Sequence, residues 1–318
     1  MKYYLDFEEP IRLIDEEIYS KESASEPSKE VTKEIAKLHE KRLQQINKIH
    51  SSLNRWQRVQ IARHPQRPYA LDYINTIFTD FMEMHGDRLY ADDPAVVTGF
   101  AKINKQKIAI IAQQKGRNTK ENLYRNFGMM RPEGYRKAMR IMKLAEKFKL
   151  PVVTFMDTPG AFPGIGAEER GQGEAIATNL INMSSLKVPI VSVVIGEGAS
   201  GGALGIGVCD RFLMMQNTWY SVISPEGCAS ILFRDASKAE EAAEALKVTP
   251  DDMVELGICD KIITEPNGGA HRDIESSSKN LKMTVIDALS ELESIEPESF
   301  IDLRIEKYDK LGFYENTK

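Results

Sequence analysis

Gly196 to Gly207 reads GEGASGGALGIG, directly after the apolar run Pro189 to Ile195 and ahead of a helical pattern that reaches Cys209-Asp210. A buried strand that feeds a glycine-rich turn into a helix is the basic unit of an α/β fold. Glycines at such a turn admit tight backbone geometry and let a ligand approach the peptide N–H groups closely. With Gly201-Gly202 at the helix start, those N–H groups point outward and can stabilise a developing oxyanion. The same glycines equally suit close packing of the helix against its strand, and the spacing leaves both readings open.

A second such turn lies upstream. Asp157 to Gly166, DTPGAFPGIG, follows the apolar run Pro151 to Met156 and precedes the helical AEERGQGEAIA. Two glycine-rich turns at the carboxyl ends of successive strands fall on one rim of the sheet, where open α/β folds bind ligands. They are expected to face one another across a site, with a turn shaped by Pro159 and Pro163 as the structural alternative. Neither turn is a GxGxxG dinucleotide fingerprint or a GxxxxGK[ST] phosphate loop, so nucleotide hydrolysis is not expected. Lys115-Gly116-Arg117 reads as a solvated basic loop, with a phosphate contact as the alternative.

Outward from these turns the pattern alternates. Helical spacing covers Gly134 to Phe148, Ala167 to Ser184, Ser200 to Val208 and a stretch from Pro225, and strand-like runs cover Arg211 to Met215 and Tyr220 to Ile223. Such alternation implies parallel pairing through helical crossovers. Val96 to Ile103 and Lys107 to Gln113 flank Asn104-Lys105-Gln106 as a hairpin, and Leu71 to Met84 carries helical spacing up to Gly86. Val31 to Trp56 reads as one long helix with a single apolar face, which needs a partner surface in another subunit or in its own body. A polar loop, Ser20 to Lys29, separates it from a short first helix, and Pro65 and Pro68 end the arm. The tail from Asp273 is again helical. Expected boundaries are 1–62 for a helical arm, 63–270 for the α/β domain and 271–318 for a helical C-terminal segment.

The 318 residues are 42% hydrophobic and 28% charged with a net charge of −5, an ordinary globular balance with no bulk attraction to nucleic acid or anionic membrane. The N-terminus lacks the basic and apolar regions of a secretory signal, no stretch has the apolar length of a membrane span, and a cytoplasmic location is expected. Cys209, Cys228 and Cys259 are widely spaced without a CxxC pair, so packing rather than metal binding is their expected role.

Together FMDTPGAFPGIGAEERGQGEAIA, VIGEGASGGALGIG and SVISPEGCASILF, with ARHPQRPYALDY, QKGRNTKENLYRNFGM, PEGYRKAMRIM and EPNGGAHR, resemble the carboxyltransferase alpha subunits of bacterial-type acetyl-CoA carboxylase over nearly the whole chain. Ala199 departs from the family pattern, in which glycine is expected at that place. The resemblance implies a crotonase-like fold, a spiral of ββα units, and an α2β2 assembly with a zinc-ribbon beta subunit. It implies transfer of a carboxyl group from carboxybiotin, held on the biotin carboxyl carrier protein and charged by biotin carboxylase, to acetyl-CoA. The product is malonyl-CoA for fatty-acid biosynthesis, with activity only beside the beta subunit and no metal on this chain. By the same resemblance the backbone of Gly201, Gly202 and Ala203 serves the ureido oxygen of biotin, while the beta subunit serves the thioester enolate. Substrate contacts are expected at Gly160, Ala161, Gly164 and Gly166.

Rival chemistries of the same superfold require other residues. A hydratase needs paired glutamates around a water, and Glu226 stands at one such position while Leu204 occupies the other. A Clp-type peptidase needs a histidine beside its serine; Ser200 is followed by no histidine until His271. Ser200 is therefore expected as a cap or turn residue, Glu226 as a carboxylate binding backbone at its helix start, and His271 as structural or interface-forming. A non-catalytic scaffold for a catalytic partner is the remaining alternative.

Overall fold

A computed structural model describes residues 3–24 and 28–312. Its centre is one eight-stranded sheet. In chain order the strands are β1 (Thr79–Glu83), β2 (Val96–Ile103), β3 (Gln106–Gln113), β4 (Val152–Thr158), β5 (Ile190–Ala199), β6 (Arg211–Met215), β7 (Trp219–Ser221) and β8 (Lys261–Ile263). The spatial order is β1-β2-β3-β4-β5-β6-β8, and the short β7 pairs with the end of β5. β1, β2 and β3 are antiparallel, and every pairing from β3 onward is parallel.

Strands buried on both faces explain the continuous apolar runs. Val152 and Met156 of β4 meet Ile190 and Val194 of β5 in one core layer, under Tyr135, Ala138 and Met142 of the helix Pro132–Lys147. Val153 and Phe155 alternate to the opposite layer, beside Val191, Val193 and Leu213 and under Leu281, Val285 and Leu289 of the helix Ile274–Glu293. Period-two alternation thus feeds two cores from one strand. Cys209, Cys228 and Cys259 are buried free thiols in this packing, and no described helix is long and apolar enough to cross a membrane.

Several expectations change in detail; the strand expected at Tyr220 to Ile223 is Trp219–Ser221 and the helix expected at Ser200 to Val208 is Ser200–Leu204. The helix from Leu71 ends early, as Ala70–Ile77, because Phe78 is extended, and Thr79–Glu83 pairs as β1 along the free edge of β2. The arm is two helices, Lys29–His50 and Arg55–Ala62, because Asn54 and Gln57 form a reciprocal cap that starts the second. The helix after the first glycine-rich turn is likewise split, into Ile165–Glu168 and Gln172–Ser184, with Gly171 in the left-handed region between them. The first helix, Glu9–Ala24, intrudes on the expected loop, of which residues 25–27 lie outside the described ones, as do 313–318 of the C-terminal segment.

The N-terminal segment is clamped to the body by buried polar groups. Glu8 accepts from Arg272 at 2.5 Å and lies 3.2 Å from His50 Nε2. His271 stacks on His64 with ring centroids 3.8 Å apart, and both its ring nitrogens are buried without partners among the described residues. Burial, reinforced by His64 and Arg272, holds the His271 imidazole down at about 3. Burial disfavours ionisation of Glu8 as well, but His50 and Arg272 outweigh it and hold the carboxyl at about 2.

Both folded values lie below the ordinary ones, so acid destabilises the clamp. As pH falls from about 6.5 towards 3, the unfolded chain takes up a histidine proton that the folded chain refuses, a slope of at most about 1.4 kcal/mol per pH unit. The Glu8 contribution is present above its ordinary value and is lost as pH drops towards 2. Thermal midpoints measured from pH 7 down to 4 should therefore fall less steeply for His271→Phe, which keeps the stack without a titrating ring. Equal slopes would remove His271 from this role.

Candidate active site at the carboxyl rim of the parallel strands

The two glycine-rich turns are in direct contact. β5 continues through Gly196-Glu197-Gly198-Ala199, further than the sequence pattern indicates, and the chain then enters the short helix Ser200–Leu204. Gly202 is buried against the backbone of the first turn: a Cβ there would overlap Gly160 and lie 2.6 Å from the nitrogen of Ala161. Close packing is what the structure shows, and it does not exclude donor presentation, since Gly202 packs through its α-carbon while the first-turn N–H groups of the helix lack intrahelical acceptors. By helix register Ala203 is the first residue whose N–H turns back, towards Ala199, which leaves Gly201 and Gly202 as the glycine donors. Ala203 itself is buried in the core.

Gln113, at the end of β3, ties the contact together. Its amide donates to the Gly202 carbonyl at 2.7 Å and accepts from Asp157 N–H at 3.1 Å. Gly202 would otherwise have a free carbonyl, because the helix tightens and Ile206 N–H bonds Ala203 instead. Thr158 Oγ1 donates to the Gly160 carbonyl at 2.7 Å and closes the first turn. Gln172 adds bonds to the carbonyls of Met130 and Phe162. Of the expected substrate-contact residues, Gly160 and Ala161 meet Gly202, while Gly164 caps the helix Ile165–Glu168 and Gly166 lies within it beside Arg170.

Beneath the turns lies a chain of buried charges. Where β4 takes two steps from Met156 to Thr158, β5 takes four from Val194 to Gly198. This bulge lets the Asp157 carboxylate sit over Gly196, where any Cβ would collide with it, and accept the Glu197 N–H at 3.0 Å. Lys115 Nζ lies 2.7 Å from both Asp157 Oδ1 and Glu197 Oε1. Arg63 donates to Glu197 at 2.6 Å and to Glu226 at 2.5 Å, with its guanidinium 5.4 Å from the Trp219 ring centroid. Burial opposes ionisation of Glu197, yet Lys115 and Arg63 together hold its carboxyl at about 2.

This arrangement corrects several sequence expectations. Lys115 is not a solvated loop residue, because two carboxylates enclose its ammonium. Glu226 meets its own backbone N–H at the helix start, as expected, but is also paired with Arg63, and Ser224 Oγ caps the same helix by accepting from Gly227 N–H. Of the two roles expected of Ser200 the structure gives the turn, with φ +57 and an exposed side chain, and the N-cap position belongs to Ala199. His271 is structural, as expected, and His64, His50 and His85 are likewise engaged away from Ser200, His85 with Asp92. Sequence reading missed Gln113, Arg63 and Glu197; for Gln113 an amide at the very end of an otherwise apolar strand was the available signal, whereas Arg63 follows the helix Arg55–Ala62 and Glu197 lies inside β5 between two glycines.

The glycine environments make opposite predictions. Gly202→Ala should destabilise the chain by about 1–3 kcal/mol through overpacking, whereas a Cβ on Gly201 would meet only the Ile176 side chain, at 3.4 Å. Denaturant titration of both variants tests this, and equal stabilities would contradict the contact.

Comparison with known proteins identifies the family. The acetyl co-enzyme A carboxylase carboxyltransferase-like family matches residues 4–312. The acetyl-coenzyme A carboxylase carboxyl transferase subunit alpha of Azoarcus sp. (strain BH72) is 55% identical over 96% of this chain and 95% of its own length. The protein of the same name from Xanthomonas axonopodis pv. citri (strain 306) is 54% identical over 98% of both chains. Among solved structures, transcarboxylase 12S with methylmalonyl-coenzyme A and methylmalonic acid bound superposes with a TM-score of 0.57 at 20% identity, over 81% of this chain. This chain spans just under half, 46%, of that longer one. The likeness establishes the crotonase-like fold, and the family match and near-full-length identities place the chain in the acetyl co-enzyme A carboxylase carboxyltransferase-like family.

Proposed function

We propose that this chain is the alpha subunit of an acetyl-CoA carboxylase carboxyltransferase. It would work beside a beta subunit to move a carboxyl group from carboxybiotin, on a biotin carboxyl carrier protein charged by biotin carboxylase, to acetyl-CoA, giving malonyl-CoA. The observation that carries the reading is the helix start at Gly201-Gly202, pressed on the Gly160–Ala161 turn, whose first-turn N–H groups have no acceptor within the helix, in a chain of this family.

Those donors suit the task. A ureido oxygen that gains negative charge as its carboxyl group departs needs neutral, fixed dipoles, and backbone N–H groups keep the same state at every working pH. The transferable carboxyl and the basic ureido nitrogen are both chemistry of the biotin group itself. The residues of this chain therefore bind and orient rather than shuttle protons. Accordingly, the carboxylates beneath the turns, Asp157 and Glu197, are neutralised by Lys115 and Arg63. The hydratase alternative loses Glu226 to its Arg63 pair in the same way.

Gly202→Val is a poor test, since it would break the packing on Gly160 whatever the chemistry. Gly201→Val obstructs the donors while meeting Ile176 rather than backbone. Malonyl-CoA formation from carboxybiotin and acetyl-CoA should appear only when this chain is co-purified with its beta subunit, and should fall about 100-fold in an assembled Gly201→Val complex. Undiminished activity in that complex would move the oxyanion site elsewhere and favour a scaffolding role for this chain.

A further inference from the structure

The charged residues beneath the rim touch no part of the glycine donors, yet they hold the strand ends from which both turns spring. Asp157 precedes the Gly160–Ala161 turn by three residues and Glu197 precedes Ser200 by three. Their carboxylates are drawn together by one ammonium: Lys115 Nζ is 2.7 Å from each, and the Lys115 side chain is only 12% exposed. Among the described residues Asp157 Oδ2 is buried without a partner, so Lys115 and the Glu197 N–H, both on Oδ1, are what hold that carboxylate. The stem of Lys115 is walled by the Asn126–Gly128 turn: a Cβ on Gly128 would lie 3.1 Å from its Cγ.

We propose that Lys115 is a positioning residue for carboxyl transfer, an internal counter-ion that keeps the ends of β4 and β5 together so that the Gly201 and Gly202 donors face the bound group. The inference rests on the function proposed above. The other charged groups facing this knot are Arg63 and Glu226, which continue it from Glu197, and Arg67, whose charge is taken up by Glu265. Tyr69 is also within electrostatic reach of Lys115 and Asp157. Burial works against the ammonium, but Asp157 and Glu197 raise it well above the usual lysine range, so it stays charged wherever the enzyme works.

Removing the ammonium leaves two buried carboxylates side by side with only Arg63, on Glu197, to offset them, and such a pair binds a proton more readily than either alone. In a Lys115→Met complex that proton relieves the repulsion without restoring the attraction of the ammonium, so the variant should be slow at every pH and least slow at low pH. The sign is fixed: the carboxyl value is raised in the variant, the proton is held below that value, and the repulsion appears as pH rises through it.

The test is steady-state carboxyl transfer by co-purified complexes between pH 6 and 8.5, read as the ratio of Lys115→Met to native at each pH. The ratio should fall roughly tenfold across the range, in kcat, with KM for acetyl-CoA changed by less than about twofold. A side chain that only supports folding would give a ratio flat with pH. Should the single variant fail to assemble, Lys115→Met/Glu197→Gln removes the repulsion; its kcat should be low, by about tenfold or more, and its ratio to native level with pH. An assembled variant of either kind with native kcat at every pH overturns the proposal, as does a flat profile in the single variant. An inactive native complex would instead overturn the carboxyltransferase reading, and this inference with it.

Discussion

The close approach of two backbones at Gly202 is the constraint on which the site depends. A helix start can lie on the Gly160–Ala161 turn only where no Cβ intervenes, and Gly202 supplies that space. Once the two segments touch, their carbonyl and N–H groups are shielded from water and need internal partners. Gln113 meets both needs with one side chain, donating to Gly202 and accepting from Asp157. The carboxyl ends of β3, β4 and β5 therefore behave as one rigid unit rather than as three loops.

Charge burial around that unit is costly, and its pattern is informative. Arg67 and Glu265 form a fully buried pair whose lone pairs and protons are also used, by the Ile195 carbonyl on one side and by Asn217 and Ala270 on the other. The Lys115 knot is similarly connected through Arg63 to Glu226. Buried ion pairs add little net stability relative to apolar packing, but breaking one partner is severe. Their physical effect is to specify one geometry. Both sets lie against β5 as it nears the rim, and so they fix the strand that delivers Gly201 and Gly202.

Local signals were legible where one element determines its own state. The hairpin at Asn104, the alternation from Pro132 to Met215, the helix opening at Pro225 and the C-terminal helices follow from periodicity and from turn residues. The misreadings share a cause. Thr79–Glu83 keeps helical spacing yet pairs as β1, because the open edge of β2 offers hydrogen bonds that periodicity does not register. β5 runs on through Gly196-Glu197-Gly198-Ala199, against the strand propensity of glycine, because β4 on one side and β7 on the other supply ladder partners. Lys115 looked solvated because its carboxylate partners stand 42 and 82 residues away in the chain.

The sequence by itself determined the α/β class, the two glycine-rich turns on one rim and, through motifs spread over nearly its whole length, the family. These are properties of local chemistry: apolar period, turn residues and their order along the chain. Only the tertiary structure decided that the turns touch at Gly202 and Gly160, that Gln113 locks them, and that Asp157, Lys115, Glu197, Arg63 and Glu226 form one charged chain beneath them. Hydrogen bonds and ion pairs between distant residues depend on where strands end in space, and linear spacing carries no record of that distance.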